Sequence, residues 1–101
     1  NGSASNATAL NAVASTTINF SSSNLAYTSA TGSAITLTGI KDGGSYTLAF
    51  TATNTTTAVT FASTGFTFYY LGTVVRTNTK RHIYNFIVMG TSVYVTMATQ
   101  N

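Results

Sequence analysis

A chain of 101 residues with 44% hydrophobic content fits one domain with a core and is too apolar for disorder of the polar, highly charged kind. Only 5% of residues are charged: four cations, one acid (Asp42) and one histidine (His82). That inventory excludes a broad nucleic-acid footprint, a paired-carboxylate glycosidase site and a conventional metal cluster within one chain, and with no Cys there is no disulfide framework.

Residues 1–15 are small and polar, with Ala at 4, 7, 9, 12 and 14, and read as a linker or the end of a stalk. Residues 16–101 read as one β-domain. Thr, Ser and Asn carry the polar balance, and Thr favours strands because its branched Cβ packs well on a pleated surface. Residues 16–20 form a first strand, a Ser/Asn turn follows at 21–24, and a short strand covers 25–28. Residues 34–40 alternate, with Ile35 and Leu37 on one face and Thr36, Thr38 and Ile40 on the other.

Lys41-Asp42-Gly43-Gly44 is the strongest turn signal, with Asp42 expected to bond its own backbone. The strand at 45–53 places Tyr46, Leu48 and Phe50 on one face and Thr47, Ala49 and Thr51 on the other. Further strands are expected at 58–62, 66–71 and 73–77, with a turn at 54–57. Phe66, Phe68 and Tyr70 would share one face of the 66–71 strand and Tyr69 the other. Strands at this spacing predict an all-β fold, a compact antiparallel β-sandwich.

Residues 81–99 form a hairpin that turns at Gly90-Thr91. Its first strand is apolar on both faces: Ile83, Ile87 and Met89 on one, Tyr84, Phe86 and Val88 on the other. Both faces must then be covered, and a chain this short has few layers to spare. With so few charges and no Pro, exposed strand edges also lack the usual protection against pairing. Both features predict burial against another copy of the chain, through one face of this hairpin.

No motif supports catalysis, since Asp42 and His82 are the only acid and the only His and no nucleophile elbow surrounds a Ser. No metal and no cofactor are expected. No stretch is long and apolar enough to span a membrane, and residues 1–10 lack the basic and apolar regions of a signal peptide. Without an initiating Met, the chain reads as a piece of a longer protein. Tyr69, Tyr70, Arg76, Lys80, Arg81 and His82 are the expected ligand contacts: phenol rings stack on apolar C–H faces, and guanidinium groups clamp anions.

Gly44-Ser45-Tyr46-Thr47-Leu48, Thr57-Ala58-Val59-Thr60-Phe61 and the closing Gly90-Thr91-Ser92-Val93-Tyr94-Val95 resemble the C-terminal tip domain of trimeric bacteriophage tail fibres and of fibre-like bacterial surface adhesins. The resemblance covers residues 42–101. The family pattern carries Trp and Pro before the last hairpin, where this chain has Phe66-Thr67-Phe68-Tyr69-Tyr70. It implies a homotrimeric all-β head outside the cell, at the end of a stalk, binding a cell-surface glycan or other envelope polymer without catalysis. A purely structural trimerisation or capping domain is the alternative, and a fibre-borne depolymerase a third, disfavoured by the acid count.

Overall fold

A computed structural model describes residues 8–31, 33–53, 58–72 and 74–101. The described residues are all β, and nine strands form two sheets. They are β1 (Leu10–Asn11), β2 (Thr17–Asn19), β3 (Leu25–Thr28), β4 (Ala34–Thr38), β5 (Ser45–Phe50), β6 (Thr60–Ala62), β7 (Thr67–Tyr70), β8 (His82–Met89) and β9 (Ser92–Thr99).

The connectivity corrects the antiparallel sandwich. The larger sheet has the order β1-β3-β5-β8-β9-β7 and the smaller one β2-β4-β6. Within them β1, β3 and β5 run parallel, as do β2, β4 and β6. The chain therefore alternates between the sheets as it winds, in the manner of a short solenoid. Only the end is antiparallel: β8 pairs with β5 and with β9, while β7 returns parallel to β9.

Polar residues make the corners of this winding. Asn11 Oδ1 accepts the Val13 amide, Asn19 Oδ1 accepts that of Ser21, and Ser23 Oγ accepts that of Leu25, each across two residues. These short side chains replace the backbone bonds that a bend removes. Thr28, fully buried, joins two coils: its hydroxyl donates to the Val13 carbonyl at 2.9 Å and accepts the Ala30 amide. Gly39, φ 76°, bends the chain after β4. A Cβ there would lie 2.7 Å from the Ser21 nitrogen, so only glycine fits. The bend returns Ile40 to the interior, against its expected outward direction.

One core lies between the sheets. Ile18, Ile35, Leu37 and Phe61 from the smaller sheet meet Leu48, Phe50, Tyr84, Phe86, Val93 and Val95 from the larger. Phe61 packs edge-on against Tyr84 and Phe86, with centroids at 5.0 and 4.8 Å. Truncating a ring so placed costs about 3–5 kcal/mol.

The hairpin forms as read, with Met89 opposite Ser92 and Gly90, φ 66°, at the first central turn position. The strand expected at 73–77 is absent from the described part of that stretch, where Val75 makes only an isolated bridge to Ala58. Thr73 and the turn at 54–57 lie outside the described residues, as do residues 1–7 of the expected linker. The rest of that linker is not detached: Leu10 and Asn11 pair beside Ala26 and Tyr27.

Candidate functional site

Strict alternation sorts β8 into two sets. His82, Tyr84, Phe86 and Val88 are buried, and Ile83, Asn85, Ile87 and Met89 are exposed. The second set forms the outer face of the larger sheet. Register places Ile87 between Ser45 and Tyr94, and Tyr94 beside Tyr69. It also aligns Tyr27, Ala49, Ile83 and Ala98 across four strands. Tyr69 and Tyr94 stack at 5.7 Å. Met89 is 61% exposed and Ile83 and Ile87 44% each, with Leu25 and Tyr27 continuing the patch. These apolar groups share the face with a polar row, in which Thr47, Asn85 and Thr96 are aligned beside Leu25 and the Thr47 hydroxyl donates to Asn85 Oδ1 at 2.9 Å.

A second feature opens at the other side of β7. The β6–β7 turn, closed by the Phe66 amide donating to the Ser63 carbonyl at 3.1 Å, joins the edge strands of the two sheets. Beside it lies an open groove of about 510 Å³ that runs from Thr36 and Ala62, paired within the smaller sheet, past Phe66 to Phe68 and Tyr70. Phe61 lies at 28° to both Phe68 and Tyr70. Tyr70 Oη accepts the Phe61 amide at 2.8 Å, so the phenol caps the β6 edge.

The six expected ligand residues do not form one patch. Tyr69 and Tyr70 point to opposite faces of β7, as alternation requires. Arg76 and His82 are 2% and 1% exposed, which corrects their expected place at a solvent-facing anion site. Arg76 stacks over Phe50 at 4.7 Å and donates to the Ala30 and Thr31 carbonyls. His82 Nε2 accepts the Thr77 amide at 2.8 Å, which puts its proton on Nδ1. Tyr84 donates to the Val74 carbonyl at 2.7 Å. Together they fasten the strandless segment around Val75 to the core. Lys80 is half-buried and Arg81 exposed, and Arg81 with His82 lines a small cavity of about 220 Å³ beside Gln100.

Burial sets the electrostatics of this cluster. Desolvation lowers the Arg76 pKa, with Tyr84 opposing. Desolvation lowers that of His82, and the Arg76 charge lowers it further. The Tyr84 phenol is pushed up to about 12, chiefly by burial, so it stays a donor.

Asp42 departs from its expected self-bonded turn: its carboxylate reaches the Gly90 amide at 2.7 Å. It lies at the far end of β8 from His82, so the one acid and the one histidine do not meet within a single chain. Among the described residues there is no group of three or more His, Cys, Asp or Glu.

The groove lay beyond sequence reasoning because it combines Thr36 with the β6–β7 turn through the parallel pairing of β4 with β6, and with β7 of the other sheet. The dense aromatic run at Phe66–Tyr70 was the one available signal. No protein-family model matches this chain, and neither the curated proteins nor the solved structures gave a match.

Proposed function

We propose that this chain is the non-enzymatic receptor-binding tip of a homotrimeric fibre or adhesin, displayed outside the cell and recognising cell-envelope carbohydrate. The observation that carries the reading is the outer face of the larger sheet, where Ile83, Ile87, Met89, Leu25 and Tyr27 stand exposed in a chain with almost no charge. Such a face is stabilised by covering it, and further copies of the chain cover it symmetrically. Three copies would present three equivalent ligand sites, and avidity then strengthens weak individual contacts. The separation of Asp42 from His82 supports binding rather than catalysis.

A structural capping domain is the second reading, and one observation favours it. Tyr70, Arg76 and His82 are engaged in holding the fold. A glycan array probed with the oligomeric chain separates the two. Saturable binding to a defined set of glycans is the expected result, and a blank array gives the structural cap precedence.

A further inference from the structure

We propose that the groove between β6 and β7 binds an uncharged sugar ring. The inference rests on the carbohydrate reading above and relocates the site: the ligand meets rings and hydroxyls, not a cationic clamp.

Three observations narrow the occupant. The groove is lined by aromatic and hydroxyl side chains and by Ala62, and among the described residues no charged one borders it. Its volume of about 510 Å³ lies within the range of small-molecule sites, about 300–1,000 Å³. The rings of Phe68 and Tyr70 each lie at 28° to that of buried Phe61, with half-buried Phe66 beside them. A pyranose offers the matching surface, with C–H groups for the rings and hydroxyls for Thr36, Ser63 and Thr64.

Other occupants match less of it. An acidic ligand would find no cation to pair with. A hydrocarbon chain would desolvate the rim hydroxyls without giving them partners. A peptide adding to the β6 edge would need the Phe61 amide, which Tyr70 Oη already occupies. The neutral sugar is the occupant that uses both rings and hydroxyls.

The test starts from an array of neutral and acidic oligosaccharides. The strongest binder of each kind is then titrated into ¹⁵N-labelled chain while amide shifts are followed. The expected result is binding of a neutral saccharide, with shifts centred on Thr36, Ala62, Thr64 and Phe66. Phe66→Ala should weaken it about tenfold, the loss of one ring contact, and Phe66→Tyr should restore it. Thr64→Ala, at an exposed turn position, should weaken it about threefold with the fold unchanged. Binding only of acidic saccharides, or shifts centred on Arg81 and Gln100, overturns this site while leaving the carbohydrate reading in place. Absence of binding across the array overturns both.

Discussion

The Asp42 carboxylate accepts the Gly90 amide at 2.7 Å, so the only acid in the chain ties the turn before β5 to the turn between β8 and β9. Backbone bonds flank this tie: the Gly43 amide donates to the Val88 carbonyl and the Val88 amide to the Gly44 carbonyl, both at 2.9 Å. A charged acceptor strengthens a hydrogen bond, and this one locks the register of β8 at its turn end. Asp42→Ala should therefore cost about 1–2 kcal/mol in urea unfolding, while Asp42→Asn, which keeps a carbonyl acceptor, should retain most of that stability. Equal losses in the two variants would remove the tie from the explanation of the hairpin.

Stability should depend on pH through His82. Its folded pKa lies below its ordinary value of 6.5, first from desolvation and then from Arg76. Between the two values the unfolded chain binds more protons than the folded one, so stability falls as pH drops below about 6.5. Protonation also removes the acceptor for the Thr77 amide. Melting curves from pH 7.5 to 5 should show a falling midpoint, and His82→Gln should flatten the trend. A flat profile in the parent chain would contradict the buried, neutral imidazole.

Arg76 acts as an internal strut. Arg76→Ala should destabilise the fold by about 2–3 kcal/mol, because the charge-assisted bonds to the Ala30 and Thr31 carbonyls are lost together with the contact over Phe50. Arg81→Ala, at an exposed position, should change stability by less than about 0.5 kcal/mol. Denaturant unfolding of the two variants checks the contrast, and comparable small effects would return Arg76 to the surface.

How far the sequence carries this picture differs between elements. The hairpin and its two faces are legible, since alternation over eight positions separates Tyr84, Phe86 and Val88 from Ile83, Ile87 and Met89, but both sets are apolar, and only the packing of the sheet turns the first set inward. The opposite faces of Tyr69 and Tyr70 follow in the same way. The parallel winding is not legible. Its coils differ in length, with Leu10 beside Ala26 but Leu25 beside Thr47, so no repeat shows in the sequence. Parallel pairing of distant strands leaves no local signature, whereas an antiparallel hairpin announces itself at its turn. Arg76 misleads for a related reason. A guanidinium reads as surface, and the carbonyls that accept it come from a loop far away in sequence.

The outer face of β8 bears on the central proposal. Ile87 is exposed there between Ser45 and Tyr94, on the face opposite the buried positions of its own strand. Ile87→Lys should leave the protomer fold intact, with far-UV circular dichroism unchanged, and disrupt association by placing a charge in an apolar contact. A variant that stays associated would move the interface to another surface.

Light scattering on a sizing column measures the mass of the parent chain in solution and tests the homotrimeric reading most directly. One species with the mass of three chains, reduced to one chain by Ile87→Lys, is the predicted result. A stable, soluble monomer at micromolar concentration, with its apolar sheet face bare, would contradict it.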